Sequence, residues 1–121
     1  MAAGLRPDPG PDPVAWFVKT ERFLRPYAAM RPHLQAHRLW VEGLRAQGVP
    51  ISSGYLVDAE GQPGGGGLLL VQCAGYAEAA ALVAQDPMLL SGTVEWQLQE
   101  WRPAVGDLGV SSGRAEDSQR E

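Results

Sequence analysis

The chain has 121 residues, 45% of them hydrophobic, and a formal net charge of −4, enough for one domain with a modest core. Of its ten Lys and Arg side chains only Lys19 is a lysine, and the arginines are scattered, which excludes nucleic acid or an anionic membrane surface as the expected main partner. The single cysteine, Cys73, excludes an internal disulfide and suits a reducing cytoplasm, and neither a bilayer-spanning apolar run nor a signal-peptide core is read in the sequence.

Residues 1–13 hold four Pro and two Gly among few apolar groups and are expected to form a disordered leader. Val14 to Glu21 predicts the first strand, with Trp16 and Val18 on one face and Ala15 and Phe17 on the other. Arg22 to Ala29 is expected to be a connection. Met30 to Gly48 predicts an amphipathic helix, with Leu34, His37, Val41 and Leu44 on one side and Trp40 broadening that stripe. Pro32 suits a first-turn position and Gly48 a stop. A histidine on a buried helix face needs a hydrogen-bond partner.

Val49 to Asp58 predicts a second strand, in which Ser52-Ser53-Gly54 allows a bulge or a close backbone approach. Ala59 to Gly66 is expected to be a turn. Its glycines lack the GK[ST] ending of a phosphate loop and lead into a strand. Gly67 to Ala74 predicts a third strand, apolar on both faces and therefore central, with Cys73 as a small core residue. Gly75 to Gln85 predicts an alanine-rich helix with Tyr76, Ala79, Ala80 and Val83 inward. It ends before Pro87 because the residue preceding proline avoids the α region. Met88 to Gly92 is expected to be a turn. Thr93 to Pro103 predicts a fourth strand with Val94, Trp96 and Leu98 facing in. Residues 104–121 are expected to be a disordered tail.

The order is β-α-β-β-α-β, an α+β, ferredoxin-like arrangement: a four-stranded antiparallel sheet with two helices on one face. Two helices cover one face only, yet the first and third strands are apolar on both. The expected cover is a second copy of the same sheet, giving a homodimeric α+β barrel. Gln72, Glu95, Gln97 and Gln99 would then line a polar rim or cavity between the two copies.

The run from His37 to Gly48, Ser53-Gly54, Asp58, the strand opening at Gly66-Gly67, the alanine-rich helix and Gln85-Asp86-Pro87 through Gly92 resemble the YCII (YciI-like) domain family over residues 14–103. The resemblance implies a dimeric α+β barrel and a His–Asp pair in a cleft, with His37 and Asp86 in those places. It also implies an activity like that of the few members that remove HCl from chlorinated hydroxyquinols. This chain departs from the family pattern at Tyr55, Met88 and Leu34, where the family often has Pro, an aromatic and Arg; here the Arg-Pro pair is Arg31-Pro32.

The chemistry of these residues suits acid–base work, since an imidazole moves protons near neutrality. Asp86, at the C-terminal end of the second predicted helix, faces a dipole that disfavours an anion by about 0.3–1 kcal/mol. A hydrogen bond to His37 would compensate it and set the imidazole tautomer. The alternative is a helix-ending aspartate and a satisfied core histidine. Ser53, Gly54, Trp16 and Arg31 are the candidate substrate contacts, in a cleft expected to be largely apolar. His33 and His37 stand at i and i+4, a metal-gripping spacing, but no HExxH pattern or third His completes it, so no metal is expected; no cofactor-binding motif is visible either, and no cofactor is expected. Three functions follow. The preferred one is a lyase- or isomerase-like enzyme acting on a small aromatic or enolisable substrate. The others are a non-catalytic ligand-binding or accessory module, and a structural dimer with a vestigial site.

Overall fold

The computed structural model describes residues 14–106; the expectations for 1–13 and 107–121 lie outside them. Four strands form one antiparallel sheet in the order β2-β3-β1-β4. They are β1 (Ala15–Phe23), β2 (Ile51–Val57), β3 (Pro63–Cys73) and β4 (Val94–Trp101). Helices α1 (Tyr27–Ala46), α2 (Tyr76–Val83) and the one-turn α3 (Pro87–Leu90) complete the described chain. This is the expected α+β, ferredoxin-like order. The central strands β3 and β1 are those whose sequences are apolar on both faces.

The helices cover one face. Phe17, Leu69, Val71, Ile51 and Leu98 project from the sheet into a cluster closed by Val41 of α1 and by Ala79 and Val83 of α2. A second, smaller cluster joins Phe23, Met30, Met88 and Val94. The opposite face carries Trp16, Val18, Leu68 and Leu70, all half-buried.

Several boundaries differ from expectation. Helix α1 begins three residues early, after Pro26, so Pro32 stands inside it rather than in its first turn and leaves one rung of its ladder without a donor. Gly48 lies past the helix end at φ 91°, as a stop requires. The reversal between β2 and β3 is made by Asp58 to Gln62, where Asp58 Oδ1 accepts from the backbone N–H groups of Glu60 and Gln62 at 2.9 and 3.0 Å. The glycine run after it is strand, not turn. Gly66 lies against β1, and a Cβ there would run into the Glu21 carbonyl oxygen. The residues expected as a turn after Asp86 form α3, with Met88 fully buried. Trp96 follows the inward phase of β4 but stays 47% exposed, because β4 is a sheet edge.

Candidate active site

One row of the sheet organises the site. Antiparallel pairing sets Ser53 of β2 beside Leu69 of β3, Leu69 beside Lys19 of β1, and Lys19 beside Leu98 of β4. Ser53 and Lys19 therefore share the helix-covered face with two core leucines. In the next row Tyr55 and Glu21 flank Gly67, whose missing side chain leaves room for the Glu21 carboxylate.

Helix α1 lays His37 over this row, 8% exposed. Its Nδ1 lies 2.7 Å from Asp86 Oδ1, and its Nε2 lies 2.7 Å from Ser53 Oγ. The Trp40 ring, one turn on, stands 5.8 Å from the imidazole. Asp86 has no exposed surface. Its Oδ1 also accepts from the Met88 backbone N–H at 2.9 Å, and its Oδ2 faces Lys19 Nζ at 2.8 Å. Lys19, itself 2% exposed, reaches Glu21 Oε1 at 2.6 Å. A chain of polar groups thus runs Glu21–Lys19–Asp86–His37–Ser53 between the two apolar clusters.

Burial pushes the Asp86 carboxyl up, but the hydrogen bond from His37 and the Lys19 charge more than offset it, so it is held below its usual range. An ionised carboxylate only accepts, so Nδ1 carries the imidazole proton. In the neutral ring Nε2 then presents its lone pair to the Ser53 hydroxyl, which donates to it.

The local role of Asp86 differs from the sequence expectation. It caps the N-terminus of α3, where its side chain satisfies an otherwise orphaned N–H. The carboxylate therefore meets a backbone N–H as well as His37, so the imidazole is not its only compensation. His37 and Lys19 are what its charge answers.

The structure brings His37, Asp86 and Ser53 into direct contact. Gly54 and Arg31 line a cleft of about 730 Å³ that opens over His37 and Ser53. The Arg31 guanidinium stands 5.8 Å from the Tyr27 ring. Trp16 is not brought to this cleft: it is out of phase with Phe17 and Lys19 and projects from the opposite face, paired with Gln72 and Trp101. Sequence reasoning missed Lys19 and Glu21. The available signal was that the only lysine falls in phase with Phe17 and Phe23 on a central strand, where a charge must be paired.

No helix among the described residues is long and apolar enough to cross a membrane. The model of the YCII-related domain matches residues 14–102. Among curated proteins none matches the sequence. Among solved structures, the fold is similar to 5-chloro-2-hydroxyhydroquinone dehydrochlorinase from Burkholderia phenoliruptrix in complex with 2,5-dihydroxybenzoquinone. The TM-score is 0.53 at 19% identity, covering 71% of this chain and 93% of that one.

Proposed function

Because the chain belongs to the YCII-related domain family, and because a fully buried carboxylate, itself paired with a buried lysine, meets one imidazole, we propose that it is an acid–base catalyst acting on a small aromatic or enolisable substrate. The observation that carries this reading is the 2.7 Å contact of His37 Nδ1 with a fully buried Asp86. Asp86 holds the ring so that Nε2 is the basic atom on the cleft side. Substrate entering the cleft displaces or passes the Ser53 hydroxyl and delivers an acidic proton to Nε2. The loss of a leaving group such as chloride from a chlorinated hydroxyhydroquinone is the matching elimination, and it is the activity named for the structural neighbour. Lys19 and Glu21 do not meet Nε2; they hold Asp86 in charge and place.

The test is chloride release from 5-chloro-2-hydroxyhydroquinone by wild type, His37→Ala and Asp86→Asn. Removing a general base costs about 10²–10⁴-fold in rate, so His37→Ala is expected to lose at least about a hundredfold. Binding of 2,5-dihydroxybenzoquinone without any turnover by wild type would favour the ligand-binding module instead.

We further propose that two copies pair through the open sheet face in a cytoplasmic homodimer. Trp16, Val18, Leu68 and Leu70 form an apolar centre there, of the kind that marks an interface. Light scattering on the eluting protein is expected to give twice the 13.0 kDa chain mass; Val18→Glu is expected to return it to one.

A further inference from the structure

The site contains more than a histidine and an orienting acid. Exposure rises stepwise along it: Asp86 is fully buried, His37 nearly so, and Ser53 is open to the cleft. Both links are 2.7 Å. A hydroxyl donating to the free ring nitrogen of a histidine, whose other nitrogen donates to a buried carboxylate, is the arrangement that activates a serine. From this geometry we propose that Ser53 is a nucleophile and that the protein also hydrolyses activated carboxylic esters through an acyl-serine. The proposal rests on the His37–Asp86 pair of the preceding reading but assigns Ser53 a covalent role which that reading does not need.

The step balances within the chain. Ser53 Oγ bonds to the ester carbonyl carbon as its proton passes to His37 Nε2, and the imidazolium is held by Asp86. The bond from that carbon to the alcohol oxygen then breaks, and the alcohol leaves with the proton from Nε2. Water, the co-reactant, adds to the acyl carbon while giving a proton to Nε2. The Ser53–acyl bond breaks, Ser53 recovers its proton, and a carboxylic acid is released.

The cleft indicates which esters. Arg31, Arg38 and Arg45 recur every seven residues along α1 and all line it, since seven residues are close to two full turns. Arg38 is paired with Glu42. Neither Arg31 nor Arg45 has a carboxylate within 4 Å among the described residues. The Glu21 carboxylate, which also borders the cleft, is held by Lys19. An ester carrying a carboxylate at its far end fits this wall better than a neutral one.

The experiment is labelling with diisopropyl fluorophosphate, read by intact and peptide mass, alongside release of 4-nitrophenolate from 4-nitrophenyl hydrogen succinate and 4-nitrophenyl acetate. One phosphoryl adduct per chain on Ser53 is expected. It should be absent in Ser53→Ala and form about a hundredfold more slowly in His37→Gln. The succinate is expected to react faster than the acetate, and Arg31→Gln should shrink that preference through KM. No adduct, an adduct elsewhere, or an unchanged labelling rate in His37→Gln would overturn the nucleophile. Chloride release by Ser53→Ala separates the two readings. If it persists while labelling fails in wild type, the acid–base catalyst stands and the acyl-serine does not.

Discussion

Along its helix-facing side, strand β1 places Phe17 in one apolar cluster and Phe23 in another, with Lys19 and Glu21 between them. The outer positions and the middle are comparably buried, yet they are held by different physics. Around Phe17 the contacts are non-directional and removal of atoms leaves a void. Around Lys19 every group depends on a named partner, and removal of one strands a charge. A core that accepts a buried lysine, two carboxylates and an imidazole gives up packing that leucines would have provided. The return is a tautomer set by charge and a basic nitrogen aimed at a cleft.

The largest effect that separates these regions is expected at the centre. Lys19→Met strands Asp86 and Glu21 together and should cost about 3–5 kcal/mol in urea unfolding. A neutral result would make the middle of β1 equivalent to its ends. Leu69→Ala, in the same sheet row but within the apolar cluster, should cost about 2–5 kcal/mol. Its cost should not depend on pH. The third effect is that pH dependence. In the folded state Asp86 is held below its ordinary range, so its contribution is complete above the unfolded value of about 3.9. It is lost as pH falls through the folded pKa. Wild type should therefore lose stability on acidification below about pH 4 more steeply than Asp86→Asn does. The smallest effect belongs to the exposed pair on the open face. Arg22 and Glu95 are both more than 60% exposed, and Glu95→Gln should change stability by less than about 1 kcal/mol.

The strand and helix order could be read from the sequence because periodicity reports burial, and β1, β3 and the face of α1 are strongly patterned. Boundaries failed where a local signal was overridden by its surroundings. The glycines before Leu68 look like turn residues, but they lie in β3, and Gly66 is needed where that strand approaches the β1 backbone. Asp86-Pro87 stops one helix and starts another, and only the second role fixes where the carboxylate points. His37 announced itself as a polar group on an apolar stripe. Lys19 did not, because a charge followed closely by Glu21 and Arg22 reads as part of a solvated stretch until the sheet register sets it between Leu69 and Leu98. Trp16 was out of phase with the site from the start; its alternation with Phe17 already placed it on the other face.

The claim on which the rest depends is that an ionised Asp86 fixes the His37 proton on Nδ1 and leaves Nε2 as the base. Nitrogen-15 NMR of the imidazole in wild type and Asp86→Asn tests it directly. The account predicts that neutral His37 in wild type is the Nδ1–H tautomer, and that this preference weakens when Asp86 loses its charge. A neutral ring protonated on Nε2 in wild type, or the same tautomer balance in both proteins, would contradict it.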